Sequence, residues 1–219
     1  MEPEFYRTLT PYISVHSSRL RLREVTVSGL EAMERETERA AQELSDAGVN
    51  LLCYGCTSGS LFKGIGHDRV LIQRIEKQTG IPAIATAGAV IDALRALRSK
   101  KIAVATPYTK EIDDLETKFL DANGLEVMKI VGLGLARNLD IGLQKPSVAY
   151  DLAKKANVAG ADAVFISCTN FRTIDIIEKL EKELGKPVVS SNTATAWMIL
   201  RTLRIKDRVQ GYGQLLALT

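Results

Sequence analysis

The chain has 219 residues, 46% of them hydrophobic and 25% charged, with a formal net charge of +3. This is ample apolar content for a packed core under an ordinary solvated surface. No run of five like charges makes a case for nucleic acid, no apolar run is long enough to span a bilayer, and no secretory leader is read at the start, so a cytoplasmic location without a membrane partner is expected.

In chain order, Ile13 to Leu22 alternates apolar and polar residues and predicts a strand, with Arg19, Arg21 and Arg23 on its solvent face. Ser28-Gly29-Leu30-Glu31 reads as a capping box opening a helix that Gly48 stops. Val49 to Cys53 is then a buried strand, and the segment Ser58 to Gly66, with its glycines, reads as a mobile loop that covers the site. A helix to Thr79, a short strand Ala83 to Ala85 and a helix to Leu97 follow. Ile102 to Thr106 is an apolar strand ended by Pro107. Thr109 caps a helix to Asn123, Gly124 stops it, and Leu125 to Val131 is the next strand. Gly132 to Gly142 reads as a loop, and Pro146 as an early residue of a helix closing at Gly160. Strand, helix, strand and helix then run to Leu203, and the tail Val209 to Leu218 reads as a last strand. Strands alternating with helices throughout predict a parallel α/β fold.

One stretch is written twice. Gly48-Val49-Asn50-Leu51-Leu52-Cys53-Tyr54-Gly55-Cys56-Thr57-Ser58 is answered by Gly160-Ala161-Asp162-Ala163-Val164-Phe165-Ile166-Ser167-Cys168-Thr169-Asn170. The match continues through Ile81-Pro82 against Lys186-Pro187 and Leu94-Arg95-Ala96-Leu97 against Leu200-Arg201-Thr202-Leu203. Such self-similarity predicts two pseudo-symmetric, Rossmann-like lobes with the site in the cleft between them. Residues 1–97, rejoined by the C-terminal segment from about 204 to 219, would form the lobe of Cys56, and residues 98–203 the lobe of Cys168.

Strand ends in such sheets are where ligands bind, and both repeats end in Cys-Thr plus a small polar residue. Each cysteine is expected near a helix N-terminus, where the thiol pKa falls. Thr57, Ser58, Thr169 and Asn170 supply donors beside the sulfurs that can hold a carboxylate or a developing oxyanion. Two thiols facing a small acid can share proton transfer, or one can add covalently while the other carries the proton. The bland alternative is that both are buried filler. Cys53 and Cys56 also have the Cys-x-x-Cys spacing of redox or zinc sites, but Cys53 lies inside the strand and reads as core. In a reducing compartment all three cysteines are expected to be free thiols. His16 reads as structural and His67 as a surface residue, and no nucleotide-binding loop implies a cofactor.

Together, Cys56-Thr57-Ser58-Gly59-Ser60, Thr106-Pro107-Tyr108, Asn138-Leu139-Asp140-Ile141-Gly142, Ser167-Cys168-Thr169-Asn170 and Ser190-Ser191-Asn192 resemble maleate cis-trans isomerases. These belong to the aspartate/glutamate racemase superfamily and have arylmalonate decarboxylases as relatives. The resemblance runs from Glu2 to about Leu203. It implies a cofactor-independent isomerase of maleate or a similar small dicarboxylate, with Cys56 as nucleophile and Cys168 as acid/base partner. Tyr108 and Asn138 would hold the substrate carboxylates, no metal would be bound, and a homo-oligomer is expected. The decarboxylases keep only the second cysteine, whereas this chain has both. Family members usually begin with an apolar strand and a Pro-Ser-x-Asn loop. Glu2-Pro3-Glu4 matches the residues just after that loop, so a strand and a substrate-binding asparagine are expected upstream of Met1. The competing readings are a two-thiol racemase of a small amino or hydroxy acid and a dicarboxylate-binding protein without turnover.

Overall fold

The computed structural model describes residues 1–9, 11 and 13–218. The chain opens with helix α1 (Glu2–Thr8), then crosses residues 13–22 without a sheet partner among the described residues before α2 (Val27–Glu34) and α3 (Thr37–Ser45). Strand β1 (Leu52–Tyr54), helices α4 (Thr57–Leu61) and α5 (His67–Thr79), strand β2 (Ala83–Ala85) and helix α6 (Thr86–Ala96) follow. Next come β3 (Lys101–Thr106), α7 (Lys110–Ala122), β4 (Glu126–Gly132), α8 (Asn138–Gly142) and α9 (Pro146–Ala156). The second repeat supplies β5 (Ala163–Ile166), α10 (Ile177–Leu184), β6 (Val188–Ser190) and α11 (Ser191–Thr202), and α12 (Gln214–Ala217) closes the fold.

Every strand pairing is parallel: β1 pairs with β2 in one sheet, and the other sheet has the order β4-β3-β5-β6. The fold is α/β, as the alternation of elements predicts. Strands β3 and β5 are continuous apolar runs because both their faces are covered. Ile102, Val104 and Phe165 enter one cluster of buried side chains with Val90, Leu94 and Trp197. Their neighbours Ala103, Ala105, Val164 and Ile166 point to the opposite side and join Tyr108, Ile112 and Phe171. Helices α6 and α11 pack on each other, and Thr195 Oγ meets Thr86 Oγ at 3.2 Å between them.

Several local expectations are corrected. Residues 13–22 alternate in exposure, with Arg19 and Arg21 out and Leu20 and Leu22 packed inward, but among the described residues no neighbouring strand pairs with them. The helix expected from Ser28 to Gly48 is two helices, and its cap is Thr26, whose hydroxyl accepts from Gly29 N at 3.2 Å. The segment expected to be a mobile cover begins instead as α4, with Thr57 to Leu61 all buried. The last strand expected over Val209 to Leu218 is a turn followed by α12, which packs on α11. His67 is buried rather than exposed, 3.6 Å from Glu34, and stacks edge-on against Phe62. Glu4 is also buried: its carboxylate accepts from Thr173 N, Ile174 N and Asn192 Nδ2 at 2.6, 3.0 and 2.8 Å, which fastens α1 beside the start of α11.

Candidate active site

The two repeated strand ends open into one cavity of about 850 Å³, reached by Cys56, Ser58, Tyr108, Asn138, Cys168 and Asn170. Thr169 also lines it. Of the residues expected from sequence to form a site, Thr57 alone does not line this cavity: it is buried, and its hydroxyl donates to Ser191 Oγ at 2.8 Å. Thr169 turns its hydroxyl to Gly55 O at 3.1 Å. The loops that follow β1 and β5 are therefore tied to each other, directly and through the first residue of α11.

Cys56 caps α4. Its sulfur accepts from Gly59 N at 3.3 Å and lies 3.7 Å from Ser58 Oγ. The tightness of this turn depends on Gly59, since a Cβ there would sit 2.6 Å from Met33 Cε, 2.9 Å from the Tyr54 hydroxyl and 3.1 Å from Cys56 Sγ. Burial pushes the Cys56 thiol up, with the Gly59 N–H and the Ser58 hydroxyl pulling it back. The side chain is only half-buried because it faces the cavity.

Cys168 is not at a helix N-terminus as expected: a turn and several further residues separate it from α10. It sits instead at φ +89, a conformation that a non-glycine residue adopts only when its surroundings hold it. Its N–H donates to Ser191 Oγ at 3.1 Å, and Asn170 N donates to its sulfur at 3.4 Å. Burial pushes its thiol up to about 11, against the pull of the Tyr108 hydroxyl and the Asn170 N–H. Both thiols are thus raised, where lowering was expected, because desolvation outweighs the local donors. Tyr108 is itself fully buried and keeps its phenol proton, the main cause again being burial.

Asn138 opens α8. Its Nδ2 donates to Leu22 O at 3.3 Å, and its backbone and side-chain oxygens both accept from Asn170 Nδ2, at 2.9 and 3.1 Å. The two asparagines form one polar wall, pressed close by Gly142, where a Cβ would come within 2.9 Å of Asn170 Nδ2. Cys53 is half-buried and also borders the cavity; desolvation drives its thiol up to about 12, so it stays protonated. Among the described residues no group of three or more His, Cys, Asp and Glu could hold a metal, and no helix is long and apolar enough to cross a membrane.

Sequence reasoning passed over Ser191, Ser167 and Glu116 as parts of this site. Ser191 stands in a motif that was legible, at the end of β6. Glu116 carried a weaker signal, a carboxyl on the apolar face of α7 set by Ile112, Phe119 and Leu120.

Residues 3–216 match the arylmalonate decarboxylase family model, and the chain belongs to that family. It is 36% identical over 208 residues to the maleate isomerase of Geobacillus stearothermophilus, covering 92% of this chain and 83% of that protein. Its fold matches the crystal structure of a cysteine-to-alanine variant of the Pseudomonas putida S16 maleate isomerase with maleate, with a TM-score of 0.92, 32% identity and coverage of 98% and 89% of the two chains. It also matches a cysteine-to-serine mutant of Nocardia farcinica maleate cis-trans isomerase with a covalently bound succinylcysteine intermediate, at a TM-score of 0.95, 28% identity and coverage of 99% and 92%.

Proposed function

We propose that this chain is an isomerase that converts maleate to fumarate by adding a cysteine to the double bond and eliminating it again. The observation that carries this reading is the pair of thiols, Cys56 and Cys168, on the walls of one cavity. Similarity to maleate isomerases, one of them carrying succinylcysteine, supports it.

The barrier is rotation about a carbon–carbon double bond, and covalent addition removes it. Cys56 gives up its proton to solvent, which returns it when the sulfur leaves at the end of the cycle, and its sulfur attacks one alkene carbon. The π pair moves to the other carbon, which takes a proton from the Cys168 thiol. The bond between them is now single and turns. Cys168, as thiolate, takes a proton back from that carbon, the double bond re-forms in the trans geometry, and the Cys56 sulfur leaves. Atoms and electrons balance with no net redox change, so the reaction calls on no electron carrier.

The environments of the two thiols fit this division of labour. The Cys56 sulfur already accepts an N–H and lies beside a hydroxyl, donors suited to a thiolate. Cys168, held up at about 11, is a thiol at neutral pH and so a proton donor, and the Tyr108 hydroxyl is placed to stabilise it once the proton is gone. Two groups of one kind whose surroundings assign them different roles are a recurring device. Ser58 and the remaining N–H of Asn138 Nδ2 offer donors for the carboxylates.

The test is purified protein with maleate, followed by proton NMR for fumarate. Growth of the fumarate signal, lost when either cysteine is replaced, is the expected result. Folded protein that leaves maleate unchanged would overturn the reading, and exchange of solvent deuterium into Cα of a chiral amino or hydroxy acid would replace it with a racemase.

A further inference from the structure

Beneath the cysteine loop lies a carboxyl that the reaction above does not use. Glu116, in the middle of α7, is fully buried. Its Oε1 accepts from Ser167 Oγ at 2.6 Å, and its Oε2 has no partner among the described residues. No cation pairs with it among those residues. Asp113, one turn earlier on the same helix, accepts from Thr106 Oγ at 2.5 Å, and Thr106 Oγ in turn accepts from Tyr108 N at 3.2 Å. One face of α7 thus underlies both the tyrosine loop and the cysteine loop.

We propose that Glu116 is a positioning residue for Cys168: through Ser167 it secures the strained cysteine backbone, and by staying neutral it keeps uncompensated charge away from the Cys168 thiol. This rests on the reading of Cys168 as the proton carrier.

The geometry supports both parts. Cys168 at φ +89 needs anchors on either side, and it has the Ser191 hydroxyl on its own N–H and the Ser167–Glu116 bond just before it. An ionised carboxylate buried with a single neutral donor is costly, and such a group keeps its proton instead. Burial pushes Glu116 up to about 8, with Ser167 pulling down and Asp113 adding to the rise. The ionisable groups facing this space are Asp113 on α7, Tyr108 after β3 and Cys168 after β5, with Cys56 beyond them. Helix α4, which packs on α7, brings only Thr57, Ser58, Gly59, Ser60 and Leu61. On β4 the charged Glu126 and Lys129 are exposed and directed elsewhere, Lys129 to Lys155 O. Loss of the Glu116 proton above about pH 8 would therefore set a negative charge against Ser167, the residue before Cys168, and within electrostatic reach of Tyr108, with no cation paired to it among the described residues.

The experiment compares the full chain with Glu116→Gln and Glu116→Leu by two readouts. One is kcat and KM for maleate; the other is the rate at which iodoacetamide alkylates Cys168, followed by peptide mass, between about pH 6 and about pH 10. In the native chain the alkylation rate should stop rising with pH near pH 8, as the new charge disfavours the thiolate. Glu116→Gln keeps the Ser167 bond without titrating, so its kcat should stay within about three-fold and that break should vanish. Glu116→Leu should lose kcat by about ten-fold or more with KM within about three-fold. Superimposable alkylation profiles for the native chain and Glu116→Gln, or full kcat in Glu116→Leu, would overturn the proposal. Should the leucine variant not fold, Ser167→Ala removes the same bond from its other end and must show the same kcat loss. Because alkylation needs no turnover, a native chain inactive on maleate would defeat the isomerase reading while the Cys168 profile still decided the role of Glu116.

Discussion

The hydroxyl of Thr57 donates to Ser191 Oγ at 2.8 Å across 134 residues of sequence, and the same oxygen accepts the N–H of Cys168 at 3.1 Å. One serine therefore connects the neighbour of the first cysteine to the backbone of the second. Ser191→Ala leaves a buried hydroxyl and a buried N–H without their partner, which should cost roughly 1–3 kcal/mol for each group left unpaired. Urea unfolding should show that loss. A double-mutant cycle with Thr57→Val should give a coupling of at least about 0.5 kcal/mol. Strictly additive effects would mean that the bond does not link the loops.

The cysteines should separate by role. Cys56→Ser and Cys168→Ser should each lose at least about a thousand-fold in turnover, since a hydroxyl stays protonated where a thiol ionises. Cys168→Ser, with Cys56 intact, should gain the mass of one substrate molecule when incubated with maleate, and Cys56→Ser should not. Cys53→Ala should keep activity within about three-fold. An adduct on Cys168 in place of Cys56 would reverse the assignment.

Gly59→Ala should damage the site more than the fold. The new methyl meets the Tyr54 hydroxyl and Cys56 Sγ, so the sulfur must move away from the Gly59 N–H. A displacement of a few tenths of an ångström at a reacting atom should lower kcat by roughly five- to ten-fold, short of the roughly hundred-fold that a full ångström costs. The thermal midpoint should fall by only a few degrees, roughly the effect of 1 kcal/mol in a chain of this size. Activity near the native level would show that the capping turn does not set the nucleophile.

Acid should weaken the fold through Glu34. Burial alone would raise this carboxyl, but Lys63 at 2.6 Å, the nearby His67 and Arg74 at 2.6 Å outweigh it, and its pKa is net lowered. A depressed carboxyl pKa gives stability that is present above the unfolded-state value and lost as pH falls through the folded-state value. The gap in urea midpoint between the native chain and Glu34→Gln should therefore be wide at about pH 7 and narrow steadily as pH falls below the ordinary carboxylate range of about 4. A gap that does not change with pH would show that the charge of Glu34 contributes nothing.

Periodicity and repetition are the features that the sequence determined by itself. The apolar runs at Ile102–Thr106 and Ala163–Ile166, the Gly124 stop and the doubled strand-Cys-Thr segment are local features. They depend on side-chain alternation and backbone freedom, which neighbours in sequence fix, so the parallel α/β fold and the two cysteines at strand ends were legible. The tertiary structure decided what local pattern cannot carry. Residues 13–22 alternate like a strand yet have no ladder partner among the described residues, because pairing depends on what lies beside them. The thiol pKa values rise because desolvation by the whole surrounding fold exceeds one or two nearby donors. Thr57 looked like a ligand-facing hydroxyl and instead reaches Ser191, while Glu116, passed over in the sequence, is buried against Ser167, the residue before Cys168. Each of these depends on groups tens of residues apart in the chain, and only packing sets their distance and their access to water.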